Sequence, residues 1–324
     1  MKRKVWFILL LSIVTLCIFT GCDSYSSNIS DESKGDKLNI VATLFPQYDF
    51  ARAIVGDKGE VSMLMPPGVE SHSFEPTPSD IIKINKADLF IYTGQYMESW
   101  AQSIIDGIEN KNIKILDVSQ NIELDNGEDE DHQDHSEEIG HSEEIGHSHE
   151  YDPHIWTSPV NAKVMVDNIL NQVCELDPSN ADYYTKNAEY YKSQLDELDN
   201  EFKNIFKNSK RDKIIFAGKF ALHYFAEEYG MDYDAAFDSC SSEAEPSVKV
   251  ITELVDEIEY ENIPVIYYAE LTDPKVARAI SEETGAEMLL LHSCHNVSKN
   301  DFDKGVTYIS LMKENAKNLQ KGLN

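Results

Sequence analysis

Residues 128–154 read EDEDHQDHSEEIGHSEEIGHSHEYDPH and hold six of the ten histidines of the chain: His132, His135, His141, His147, His149 and His154. No Lys or Arg occurs between Lys114 and Lys163, and the unit HSEEIG stands twice in tandem, at 135–140 and 141–146. Imidazole nitrogen with carboxylate oxygen is the donor set of borderline divalent metals, zinc above all. So polar a tract cannot bury a core, which argues that its histidines are not packing residues. The bland alternative is a solvated acidic loop with incidental histidine.

Positioning such chemistry falls to the elements on either side. From Leu38 the chain alternates short β-rich runs with helical stretches: LNIVATL (38–44), EVSMLM (60–65), ADLFIYT (87–93) and NIKILDV (112–118) read as strands. Thr77 and Pro78 are the N-cap and first position of a helix. This βαβα rhythm predicts a mostly parallel sheet, interrupted at 125–150 by the His-rich loop. A helix capped by Ser158 runs to about Glu175. Another starts at Asp177-Pro178 and continues without Pro or Gly to about Phe206, long enough to bridge two lobes. KIIFAG (213–218), MDYDAAF (231–237), PVIYYAE (264–270) and AEMLLLHS (286–293) restart the strand rhythm, and a last helix is expected over 302–319. Tyr183, Tyr184, Tyr190 and Tyr191 read as a packing stripe of the long helix.

The fold class is therefore α/β: two lobes, each a mostly parallel sheet flanked by helices, joined by one long rigid helix. The expected divisions are an N-terminal lobe over 38–176, the bridging helix over 177–209 and a C-terminal lobe over 210–324. Open α/β sheets bind ligands beyond the carboxyl ends of their strands, so facing lobes would share one cleft. His72, His154 and His292 lie in loops or at strand ends that face it. Cys294 and His295 follow His292 directly.

The N-terminus reads as a processing signal over 1–21, with Lys2, Arg3 and Lys4 before an apolar run too short to span a membrane comfortably. Small residues before Cys22 resemble a bacterial lipobox, which implies lipidation of Cys22 and a polar tether over 22–37. A plain secretory signal cut near Gly21 is the alternative. Removing the three basic residues takes the formal charge from −30 to −33. So acidic a chain argues against nucleic-acid binding and for cations. Cys174, Cys240 and Cys294 then remain, an odd number of thiols for an exported protein.

PPGVESHSFEPTPSD, YDPHIWTSP, SEAEPS and YISLMKENAKNL resemble the zinc and manganese receptors of bacterial ABC importers, over the whole chain from Leu38 onward. The resemblance implies a monomeric, lipid-anchored receptor on the outer face of the cytoplasmic membrane, with one divalent metal in the interlobe cleft and an ABC permease as partner. It puts the first two ligands on His72 and His154 and the fourth on His292. The third slot falls on Lys219, a poor metal ligand. His295 ranks first to fill it, ahead of Cys294 and Cys240, with His223 trailing. Pairing of Cys240 with Cys294 as a disulfide would remove both cysteines. Glu243 and Glu245 read as caps or supporting carboxylates, and Asp152 reads equally as a partner that orients His154 or as a residue that only shapes the turn at Pro153. The expected site is His72, His154, His292 and His295, holding zinc in preference to manganese. The competing classes are a zinc-dependent hydrolase and an adhesin or passive metal store.

Overall fold

The computed structural model describes residues 37–70, 74–125, 151–237 and 246–324. The signal segment, Cys22, His72, the His-rich tract, Cys240, Glu243 and Glu245 lie outside them. From Leu38 to Asn324 the chain forms one compact unit. No helix among the described residues is long and apolar enough to cross a membrane.

The first sheet takes β1 (Leu38–Ala42), β2 (Gly59–Met63), β3 (Leu89–Tyr92) and β4 (Lys114–Asp117) in the order β2-β1-β3-β4, all parallel. Val41 stands beside Ser62 on one side and Phe90 on the other. Ile40, Val41 and Ala42 are all fully buried, as expected of a central parallel strand covered on both faces. The helices α1 (Phe45–Val55), α2 (Pro78–Asn85) and α3 (Ala101–Gly107) make the crossovers. Thr77 caps α2 as expected: its hydroxyl accepts from the Asp80 amide while the Asp80 carboxylate accepts from the Thr77 amide.

The second sheet repeats the plan. β5 (Lys213–Lys219), β6 (Asp232–Phe237), β7 (Val265–Tyr268) and β8 (Glu287–Leu290) lie in the order β6-β5-β7-β8, again all parallel. In both sheets the order reverses beside the first strand. The crevices therefore open at the carboxyl ends of β1 and β3, and of β5 and β7.

Between the sheets in sequence come α4 (Pro159–Leu176) and α5 (Ala181–Asn208). α5 has 28 residues, or about 42 Å at the helical rise. Its buried positions, Tyr184, Ala188, Tyr191, Leu195, Leu198, Phe202 and Ile205, alternate steps of four and three and make one continuous seam. The N-terminal half of the seam packs on α1, where Asn187 donates to the Ile54 carbonyl (2.9 Å) and the Tyr191 hydroxyl to Asp49 (2.8 Å). The C-terminal half meets α6 (His223–Tyr229), where Phe202 sits edge-on to Phe225 with centroids 4.7 Å apart. One helix thus grips both sheets, and one hydrophobic core runs through both of its contacts.

Two expectations need correction. The tyrosine stripe is half a stripe: Tyr184 and Tyr191, seven residues apart, are in the seam, whereas Tyr183 and Tyr190 are turned about a quarter of the helix away and Tyr190 is 68% exposed. The final helix is two helices. α9 (Lys299–Asp303) ends at Gly305, whose φ of +73° suits glycine, and α10 (Tyr308–Leu323) begins with a new capping box between Thr307 and Ser310. The remaining helices are α7 (Val248–Glu261) and α8 (Lys275–Thr284).

Candidate metal centre

Three loops meet beyond the strands. The 66–70 loop, which leads to His72, is held by Asn296, whose side-chain amide donates to the carbonyls of Pro66 (2.9 Å) and Val69 (2.7 Å). The Gly68 amide donates to the Val297 carbonyl at 2.8 Å. The segment after the His-rich tract is pinned by Trp156, fully buried, whose indole donates to the Ser293 carbonyl (2.8 Å) and whose carbonyl accepts from the Tyr308 hydroxyl (2.6 Å). Phe45, at the start of α1, donates its amide to the His295 carbonyl (3.3 Å). The loop leading to His72, the His154 segment and the 292–297 turn are therefore stitched together by backbone-directed hydrogen bonds.

His154 is buried, 1% exposed, at the head of a 3-10 turn (Ile155–Thr157). Its Nδ1 lies 2.7 Å from Asp152 Oδ1, which also accepts the His154 backbone amide (2.8 Å). Asp152 thus orients the ring as expected. Burial alone would raise the Asp152 carboxyl, but His154 and then His223 outweigh it and hold it below the usual range. An ionised Asp152 accepts a hydrogen bond from the Nδ1–H, which leaves Nε2 as the lone-pair nitrogen.

The 292–295 turn follows β8. His292 and Ser293 are both 6% exposed. Cys294 adopts a φ of +65°, a strained conformation for a residue with a Cβ, and this reverses the chain between the two histidines. Glu270, two residues past β7 at the crevice of the second sheet, lies under the turn. Its carboxylate accepts from the Ser293 hydroxyl (2.6 Å) and amide (3.0 Å), and sits 3.2 Å from His295 Nδ1 and 3.4 Å from His292 Nδ1. Burial would raise this carboxyl, but His292, His295 and Ser293 together hold it far below the usual range. His292 itself is pushed down by burial, against the pull of Glu270. The buried Glu270 carboxylate calls for positive charge beside it, which a bound cation would supply.

The two imidazoles differ in readiness. His295 Nδ1 lies 2.6 Å from the Ser293 hydroxyl, which hands the interaction on to Glu270, and His295 Nε2 is buried without a hydrogen-bond partner among the described residues. An orphaned buried nitrogen on a ring whose other nitrogen is anchored to a carboxylate is a metal-ready ligand. His292 Nδ1 instead accepts the Cys294 amide (2.9 Å), which puts the proton on Nε2. That nitrogen can bind a metal only after the ring gives up this bond.

Other candidates fall away. Cys294 is a free, fully buried thiol pushed well above its ordinary value by burial, so it is neither a ready thiolate nor disulfide-bonded. The competing reading that pairs it with Cys240 falls on a residue outside the described ones. Cys174 is a free, half-buried thiol. Lys219 ends β5 half-buried, and its side chain makes no hydrogen bond or ion pair with the described residues. His223 begins α6 with Nε2 3.9 Å from Asp152 Oδ2, so it approaches the site through Asp152. Among the described residues, no group of three or more His, Cys, Asp and Glu is arranged as a metal cage. A groove of about 770 Å³ between α5 and the end of α10 contains none of these histidines.

Glu270 escaped the sequence reading. The signal was available: Glu270 is the last residue of the expected strand PVIYYAE (264–270), at its carboxyl end, where a cleft would draw its ligands.

Residues 40–322 match the family described as zinc-uptake complex component A, periplasmic. The chain is 38% identical over 320 residues to the high-affinity zinc uptake system protein ZnuA of Bacillus subtilis, covering 99% of this chain and 98% of that one. Among solved structures it resembles the metal-dependent lipoprotein YcdH of Bacillus subtilis (34% identity, TM-score 0.74, 89% of this chain and 99% of that one). It also resembles the Zn(II)-bound ZnuA-like domain of Streptococcus pneumoniae AdcA (29% identity, TM-score 0.73, 89% and 99%). The chain spans 60% of full-length AdcA.

Proposed function

The chain belongs to the family of zinc-uptake complex component A, and on that premise we propose that it is an extracytoplasmic receptor that captures zinc and delivers it to an ABC permease. The permease, the lipid anchor on Cys22 and a monomeric state are parts of this proposal. So is the division into lobes over 38–176 and 210–324 around a bridging segment at 177–209. Membership of an uptake family sets aside the hydrolase reading.

The proposed site is His72, His154, His292 and His295, with Glu270 as the buried counter-charge. The observation that carries it is the unpartnered Nε2 of His295 beside an ionised Glu270. Nitrogen-rich donors favour zinc over manganese, which prefers more oxygen. A divalent ion near the turn supplies the positive charge that Glu270 calls for. No bond chemistry is needed: the protein binds the ion, shields it from water and releases it.

Calorimetry with zinc on single alanine variants tests the ligand set. His72→Ala, His154→Ala and His295→Ala are expected to lose tight binding by at least about 100-fold, and His292→Ala to lose less, because its Nδ1 is engaged by the Cys294 amide. Retained nanomolar affinity in His154→Ala or His295→Ala would remove the assignment.

A further inference from the structure

We infer that His223 is a positioning residue for metal capture: from the second sheet's first helix it holds Asp152, and through Asp152 the ring of His154. The inference rests on the reading of His154 as a zinc ligand.

Two consecutive residues of α6 grip Asp152. The Tyr224 hydroxyl donates to the Asp152 carbonyl at 2.8 Å, and His223 Nε2 stands 3.9 Å from Asp152 Oδ2. The Asp152 side chain is 9% exposed, and Oδ2 makes no hydrogen bond with the described residues. Its other oxygen is fully used by the Nδ1 and amide of His154. A buried carboxylate oxygen left without a partner is costly, and the His223 imidazole stands opposite it. The His223 ring is held in place: its Nδ1 lies 3.0 Å from the Tyr233 hydroxyl and its face stands edge-on to Phe220, on which Tyr233 stacks at 3.7 Å. In the tautomer that has the Tyr233 hydroxyl donate to Nδ1, the His223 proton is on Nε2, on the side of Asp152.

The gap of 3.9 Å exceeds a hydrogen bond. A small approach of α6 toward the 152–154 segment converts it into one. When a metal takes His154 Nε2, the Nδ1 proton becomes more acidic and its carboxylate partner matters more. A donor on Oδ2 then fixes the carboxylate so that Oδ1 stays on the His154 ring. His223 adds no ligand; it slows release by keeping an existing ligand in register, and it ties the metal-holding segment to the second sheet.

The full chain is loaded with zinc, and release to an excess of chelator is followed by stopped flow, for the unsubstituted protein, His223→Leu, His223→Gln and His154→Ala. Partners of ligating histidines typically change metal affinity by about 10-fold or more, and release from His223→Leu is expected to be faster by about that factor. His223→Gln, which retains a side-chain donor, is expected to stay close to the unsubstituted protein. The metal-free Tm is expected to be alike in the Leu and Gln variants, so that packing does not account for the difference. Release from His223→Leu at the unsubstituted rate, or equal acceleration in Leu and Gln, overturns the role of His223. Tight zinc binding by His154→Ala overturns the site reading itself and the inference with it.

Discussion

Two buried glutamates beyond strand ends show how the same residue type takes opposite charge states. Glu270 is held ionised by imidazoles. Glu98, just beyond β3 at the crevice of the first sheet, faces no cation. Burial pushes its carboxyl up to about 8, against the hydrogen bonds from Thr43 and Thr93 that pull it down. The Thr43 hydroxyl, the Thr93 amide (3.0 Å) and the Thr93 hydroxyl, itself bonded to Gln47, surround it, and Asp117 adds repulsion. The folded state therefore binds the Glu98 proton more tightly than the unfolded chain does. Its stabilising effect is complete below the ordinary glutamate value near 4.5 and is lost as pH rises through about 8. Glu98→Gln keeps the hydrogen-bond geometry without the titration. Its stability relative to the unsubstituted protein is expected to rise between pH 5 and pH 8.5 by on the order of 1–3 kcal/mol, measured by urea unfolding. A gap independent of pH would contradict a buried neutral acid.

Among the elements, three helices converge on one side chain. Asp49 of α1 is buried and accepts from the Tyr191 hydroxyl of α5 (2.8 Å), the Tyr308 amide at the start of α10 (2.9 Å) and the Arg52 guanidinium, whose NH2 also reaches the Val306 carbonyl (2.9 Å). Asp49→Ala leaves a hydroxyl, an amide and a half-buried cation without their acceptor. It is expected to cost about 3 kcal/mol in urea unfolding, whereas Asp57→Ala, an exposed control on the following turn, is expected to change stability by less than about 0.5 kcal/mol. The strands and most helices were legible, because short apolar runs bounded by Gly, Pro and caps leave little choice. α10 was not placed correctly, because the Gly305 turn and the Thr307 cap sit inside a stretch that otherwise reads as helical. The exposed Tyr190 was misread because tyrosines at adjacent positions face different sides of a helix, and only the partner surface decides which side is buried.

For the molecule as a whole, the proposed tight site and the His-rich tract are expected to be separable. The described anchors of His154 and His295 come from Asp152, Glu270, Ser293 and Trp156, none of which belongs to 126–149. Deleting 126–149 is expected to leave one tight zinc site and to abolish only weaker ones in calorimetric titration. Loss of the tight site would make the tract the primary binder.

Residue types, apolar period and capping pointed to metal chemistry, two parallel sheets and the long helix, because these are local properties of the chain; the candidates His72, His154, His292 and His295 needed the two-lobe reading and the family resemblance as well. What they left open was rank: His292 and His295 are three residues apart and look equivalent as text. Tertiary structure separated them through the Cys294 amide on one ring and the Glu270–Ser293 anchor on the other, since which ring nitrogen keeps a lone pair depends on neighbours brought in from another strand. The same contacts, unreadable along the chain, brought Glu270 under the turn and set His223 beside Asp152.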